Sequence, residues 1–269
     1  MGLTTDSEGR RKVSGLLQSA VFGPVDSRRF GRSLGVNPLP AGMKICSFDC
    51  PYCECGPTSR GIVQSLDRAP LAWPRVEDIL QCVLEAIESE MELGRRVDAI
   101  TLAGNGEPTL HPEFHSLMKG LSGLRRVQNP APKLIVLTNG STLGRAPVRF
   151  ALELADEACF KLDAGTFRLQ KCMNRPILNF ELEDYVEEIA HFPDPIVQSL
   201  FVRGRIDNTT KEEVDSWIER LEIVSPRRVD IYSLDRLSPD STLTRVHLKT
   251  LNDIAGRVRD EVGVHTVVY

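Results

Sequence analysis

From about residue 98 onward the chain alternates short apolar runs with longer amphipathic ones. This alternation restricts the fold more than any other feature of its 269 residues. The segments "VDAITLAG" (97–104), "KLIVLTNG" (133–140), "EACFKLDAG" (157–165), "IVQSLFVRG" (196–204) and "RRVDIYSLDR" (227–236) read as strands. Between and after them, "HPEFHSLMKGLSGL", "RFALELA", "FELEDYVEEIAHF", "KEEVDSWIERLEIV" and "LKTLNDIAGRVRDEV" read as helices, with Thr109 placed to cap the first and Thr209 or Thr210 the fourth. Leu182, Tyr185, Ile189 and Phe192 keep helical spacing. Upstream, "RSLGVNPLP" supplies a first strand and "RVEDILQCVLEAIESEMELG" a long amphipathic helix, for about six βα units.

Strands that are continuously apolar belong to a parallel sheet covered by helices. Such a series either closes as a barrel or opens as a doubly wound sheet, and both place function at the C-terminal strand ends. Those ends read "GNGEPT", "TNG", "KLDAG", "VRG" and "SLDR". The expectation is one α/β domain over residues 16–269 behind a loose tail at 1–15, since no linker, repeat or low-complexity block divides the chain.

A formal net charge of −4 gives no global electrostatic case for a nucleic-acid or membrane-surface partner. No apolar run reaches membrane-spanning length and the N-terminus has no secretory h-region, so a cytoplasmic location is expected.

Seven cysteines include four within ten residues, "CSFDCPYCEC". Tight spacing in a cytosolic chain points to metal or redox chemistry rather than to disulfides. Cys46, Cys50 and Cys53 form C-x3-C-x2-C, which suits a cubane iron–sulfur cluster with one iron left for another ligand. A structural zinc site usually wants four ligands, often as two separated pairs, and no second pair follows. His111 and His115, four residues apart, offer a rival two-ligand helix face. Cys82 reads as helix-face packing, Cys159 as a strand residue, and Cys172 as following a strand–helix loop.

"CSFDCPYC", with Tyr52 before the third cysteine, resembles the signature of the radical S-adenosylmethionine (radical SAM) enzymes. "GNGEPTLHPEF" is similar to that family's Gly-Gly-Glu motif, with Asn105 in place of the first glycine and Gly106-Glu107 retained. "GPVDSRRFGRSLGVN" and "RVDIYSLDR" resemble a subgroup of iron–sulfur oxidoreductases related to the wyosine-forming tRNA enzymes. The resemblance implies a partial (βα)6 TIM-type barrel with helices outside. It also implies a 4Fe–4S cluster on Cys46, Cys50 and Cys53, and SAM chelating the fourth iron and cleaved to methionine and a 5′-deoxyadenosyl radical. A flavodoxin or ferredoxin would serve as electron donor. The other cysteines build no second cluster, which weighs against wyosine synthesis itself.

On this reading Glu107 and Gly106 take the SAM ammonium, the carboxylate by a charge-assisted hydrogen bond. Asn139 reaches the ribose or carboxylate, Asp163 the ribose hydroxyls and Arg203 a carboxylate, while Tyr52 lies by the cofactor and Leu234 packs near the adenine. Cys55 is not required by the signature; its sharper roles are alternative ligand, hydrogen-atom donor or covalent partner. Lys161, Arg203 and Arg236 put positive charge at the barrel mouth and favour a small, anionic or nucleotide-like substrate. Arg28, Arg29 and Arg32 either line the entrance or clamp the N-terminal segment. Rival functions are tRNA or peptide modification and, from another class, a non-catalytic zinc-binding protein.

Overall fold

The computed structural model describes residues 15–66, 70–236 and 238–269. The tail expected over 1–15 lies, except for Gly15, outside the described residues. Strands β2 (Gly31–Val36), β3 (Ala99–Leu102), β4 (Lys133–Thr138), β5 (Glu157–Lys161), β6 (Ile196–Gly204) and β7 (Arg228–Ser233) lie side by side in chain order, all parallel. A doubly wound sheet reverses its strand order at a switch point; this one does not, and its helices collect on a single face. β1 (Val21–Ser27) adds an antiparallel edge beside β2, and β9 (Thr266–Val268) a parallel one beside β7. Among the described residues no pairing joins those edges, so the barrel is partial. β8 (Leu243–Arg245) pairs antiparallel with the end of β6.

Alternation along each strand separates the two faces. Leu34, Ile100, Leu134, Phe160, Val197 and Val229 pack outward under α2 (Val76–Glu92), α3 (Phe114–Leu124), α4 (Ala146–Leu152), α6 (Leu182–Ala190), α7 (Lys211–Val224) and α8 (Leu248–Glu261). A short α1 (Arg60–Val63) follows the cysteine loop. Ala99, Ile135, Cys159 and Ile196 face inward and close the lumen against Phe30.

The β1–β2 turn settles the role of the arginines. Arg29 enters the barrel from its N-terminal end, donating to Asp230 at 2.8 Å and Gln198 at 3.1 Å, and stacks on Phe30. It clamps the floor rather than the entrance. Arg28 reaches Asp235 at 3.4 Å in the open, and Arg32 pairs with Glu90.

Cys172 follows the loop after β5 as expected, inside a helix absent from the sequence reading, α5 (Phe167–Met173), begun by Thr166, whose side chain accepts from the Leu169 amide. Three local expectations need correcting. Thr109 does not cap α3, whose N-cap is Glu113; it sits in a 3-10 turn (Pro108–Leu110) with its hydroxyl on Glu107. Cys82 is exposed on α2 rather than packed. His111 is buried with both ring nitrogens used: Nδ1 accepts from the Glu113 amide, so Nε2–H donates to the Pro74 carbonyl. It has no lone pair for a metal.

Candidate iron–sulfur and SAM site

The loop after β2 holds its cysteines through a network of short-range bonds. Cys53 N donates to the Cys50 carbonyl, and Gly56 N to that of Cys53. Thr58 donates from its backbone to Asp49 and from its hydroxyl to the Phe48 carbonyl. Lys44, buried, reaches over the end of the loop to the Gly56 carbonyl at 2.6 Å. Cys46, Cys50, Cys53 and Cys55 line one cavity of about 240 Å³ together with Glu107 and Asn139.

Charge around the thiols is uneven. Burial pushes the Cys46 thiol up, whereas the Cys55 hydrogen bond, with the Lys44 ammonium behind it, holds Cys53 below the ordinary thiol range against burial. Cys53 is therefore the sulfur most ready to be a thiolate, the form that binds metal. Cys55 is pushed up by the same hydrogen bond and by burial, and its thiol also contacts the Gly104 carbonyl at 3.4 Å.

The "GNGE" loop is built against the cysteine loop. Ile45 N donates to the Asn105 carbonyl and Glu107 N to that of Ile45, a short parallel bridge. Gly106, at φ +141°, leaves no room for a side chain: a Cβ there would lie 1.9 Å from the Ile45 carbonyl oxygen. Asn105, the departure from Gly-Gly-Glu, is fully buried and exchanges two hydrogen bonds with the Leu17 backbone, at 2.8 and 2.9 Å. It anchors the segment ahead of β1 rather than facing the cavity.

Glu107 is 2% exposed. One carboxylate oxygen accepts from the Thr109 and Thr138 hydroxyls, the other from the Asn139 amide at 2.6 Å. Burial holds its pKa above the ordinary glutamate value despite these bonds. Asn139 turns its Nδ2 to Ser47 at 2.9 Å and Cys46 Sγ at 3.6 Å, while its Oδ1 accepts from the Ser141 amide. It thus shapes the turn after β4 and lines the cavity wall.

Asp163 is spoken for. It accepts from Tyr52 Oη at 2.5 Å, Asn174 Nδ2 at 2.8 Å, Lys161 Nζ at 3.1 Å and the Leu200 amide at 2.8 Å, and it is 1% exposed. Tyr52, whose ring lies 5.1 Å from the Lys161 ammonium, lines the cysteine cavity and a second one of about 240 Å³ that adjoins it. Leu234 lines that second cavity. Arg203 lines neither: it is exposed, with Nε on the Thr209 hydroxyl at 2.9 Å. Arg236 pairs with Glu54 across the rim at 2.5 Å. Of the three expected mouth cations, Lys161 alone lines both cavities. Burial opposes its charge, but Asp163 and Tyr232 outweigh burial and hold its pKa above the ordinary lysine value.

Residues that the sequence reading passed over complete the site. Thr138 and Thr142 support Glu107, directly and through Thr109. Asn174, at the end of α5, ties Asp163 and Tyr52 to Cys50. Four cysteines line one cavity, and thiolates are the ligands an iron–sulfur cluster takes; among the described residues no three His, Cys, Asp or Glu side chains converge tightly on one point.

An in-order partial parallel barrel is the fold of solved radical SAM enzymes. A radical SAM methyltransferase from Sphaerobacter thermophilus aligns with a TM-score of 0.65 at 15% identity, over 88% of this chain and 65% of that one. TYW1 with a bound lysine-pyruvate adduct aligns at 0.56 and 13%, over 86% and 74%. At these identities the likeness is one of fold. No protein-family model matches the chain. In sequence, the UPF0026 protein slr1464 of Synechocystis sp. is 34% identical over 225 residues, 82% of this chain and 77% of the relative. The chain belongs to the UPF0026 family. Among its described residues no helix is long and apolar enough to cross a membrane.

Proposed function

We propose that this chain is a SAM-dependent iron–sulfur enzyme, with residues 16–269 as its catalytic core. Cys46, Cys50 and Cys53 would hold one 4Fe–4S cluster, and Gly106, Glu107 and Asn139 would hold SAM. The observation that carries this reading is the opening of three thiols, Glu107 and Asn139 into one cavity at the C-terminal strand ends. When bound and reduced, the cluster and SAM supply radical chemistry; the protein supplies binding, orientation and shielding.

The chain's own residues suit those tasks. Glu107 offers a buried carboxylate to an ammonium, a charge-assisted contact stronger than a neutral one. Phe30 and the Arg29 clamp close the lumen below, so water enters from the mouth side. Asp163 and Tyr52 hold the wall in shape, and Leu234 offers an apolar surface for a flat base. We assign Cys55 to reaction with substrate, on the strength of its thiol in the same cavity outside the three-cysteine signature.

The substrate we infer is small and anionic or nucleotide-like, since the second cavity is small and Lys161 faces it. A flavodoxin or ferredoxin would supply the electron, in the cytoplasm. Anaerobic reconstitution with iron and sulfide, followed by reductant and SAM, tests the reading. A brown protein that releases 5′-deoxyadenosine, beside a colourless Cys46→Ala/Cys50→Ala/Cys53→Ala variant that releases none, is the expected result. Stoichiometric zinc without iron would overturn it.

A further inference from the structure

Asn174 lies outside both cavities, yet it touches a cluster cysteine. It is fully buried at the C-terminal end of α5. Its Nδ2 lies 3.4 Å from Cys50 Sγ, 2.7 Å from Tyr52 Oη and 2.8 Å from Asp163 Oδ2. A carboxylate can only accept, so the atom facing Asp163 must be the amide nitrogen. The Tyr52 hydroxyl gives its own proton to Asp163 Oδ2, 2.5 Å away, so the two oxygens stand side by side and share one N–H of Asn174. The second N–H is left for the sulfur, while Oδ1 has no hydrogen-bond partner among the described residues.

The surrounding backbone holds the residue against the cysteine loop. Asp49 N donates to the Asn174 carbonyl and Ile177 N to that of Ser47, both at 2.9 Å, so the segment after α5 runs as a strap along the cysteine loop. Lys161, paired with Asp163, adds a buried positive charge on the same side.

We propose that Asn174 is a positioning residue for the iron–sulfur cluster, donating a hydrogen bond to the Cys50 sulfur that stabilises the reduced cluster and raises its reduction potential. This rests on the cluster assignment made above. An electron added to an iron–sulfur cluster spreads over its sulfurs, and an N–H pointed at one of them favours the more negative state. The cavity-lining Asn139 donates to Cys46 at 3.6 Å but also borders the SAM space, whereas Asn174 lines neither cavity and touches their wall only through Tyr52 and Asp163. Titrating without SAM isolates its effect on the cluster.

The test is an EPR-monitored redox titration of the reconstituted protein without SAM, on wild type, Asn174→Leu and Asn174→Asp. Iron and sulfide content are measured first. A wild-type protein that takes up no cluster refutes the cluster assignment itself, before this proposal is reached. With clusters present, the expected result is a lower potential in both Asn174→Leu and Asn174→Asp than in wild type, because each removes the amide N–H that faces the sulfur. The aspartate variant keeps the side chain's shape and is the deciding arm if the leucine variant does not fold. Loaded variants that titrate at the wild-type potential would overturn the proposal. So would folded variants that bind no iron, which would make Asn174 an assembly residue.

Discussion

At the N-terminal end of the strands, charged groups satisfy one another. Arg29 and Arg228 share the buried carboxylate of Asp230, each at 2.8 Å, and Glu157 accepts from Arg228 at 2.7 Å and Lys133 at 3.0 Å. At the C-terminal end, four cysteines and a buried glutamate border one cavity. Both ends of the lumen are polar. At the floor cations pair the carboxylates, although Arg29 Nε is left without a partner; at the mouth Glu107 accepts from Thr109, Thr138 and Asn139, all neutral donors. The difference teaches where to look for function: a buried carboxylate among neutral donors keeps a charge that no cation of the chain balances.

The comparison breaks most sharply at the cysteines. Replacing Cys46, Cys50 and Cys53 with alanine should abolish iron uptake and 5′-deoxyadenosine release completely, while the melting temperature of the apo protein barely moves. A matching loss of apo stability would mean that the loop is structural. Next in size is the floor. Asp230→Ala leaves Arg29 and Arg228 facing each other in a buried site, and removing one partner of a buried ion pair costs about 3–5 kcal/mol. Urea unfolding should show that loss, with the iron content of the folded fraction unchanged. An equal drop in iron per folded molecule would contradict the division between the two ends.

Glu107→Gln probes the mouth more gently. Hydrogen bonds to charged groups contribute about 1.5–3 kcal/mol, so SAM affinity should fall roughly ten- to a hundredfold with the cluster retained. Equilibrium dialysis on the reconstituted protein measures it. Unchanged affinity would remove Glu107 from the SAM site.

How far this was legible in the sequence follows from range. The parallel strands and their helices were written locally, in apolar runs and caps such as Thr210. The cysteine spacing and Gly106-Glu107 were equally local, and they fell where the architecture puts a site. What escaped depends on distant partners. Arg29 finds Asp230 201 positions away, and Asn174 finds Cys50 124 away; nothing beside either residue announces the pairing. β9 is three residues long, too short for periodicity to register. Asp163 shows the opposite failure. A polar residue at a strand end looks available for ligand, but four donors within the chain already occupy it. Arg203 likewise sits at the right strand end, and the β8 pairing accompanies its turn outward, to Thr209.

The smallest effect expected lies at the floor and depends on pH. Burial alone would raise the pKa of Glu157, but the hydrogen bonds from Arg228 and Lys133 outweigh it and hold the carboxyl below its ordinary value of 4.5. A carboxylate whose folded pKa is depressed binds its proton more readily in the unfolded chain. Its contribution is fully present above the unfolded value and is lost as pH falls through the folded one. Wild-type stability should therefore decline in that acid window, and Glu157→Gln should lower stability at neutral pH while flattening the decline. Urea midpoints taken from neutral pH down through the glutamate range measure both. If the variant keeps the full acid slope, the floor's charges are not the ones being titrated, and the loss belongs to carboxylates elsewhere. Glu107 cannot supply a slope of the same sign: its pKa is shifted the other way, so protonation favours the folded state there. The two buried glutamates at opposite ends of one lumen thus respond to acid in opposite senses, because cations pair Glu157 whereas Glu107 is buried among neutral donors.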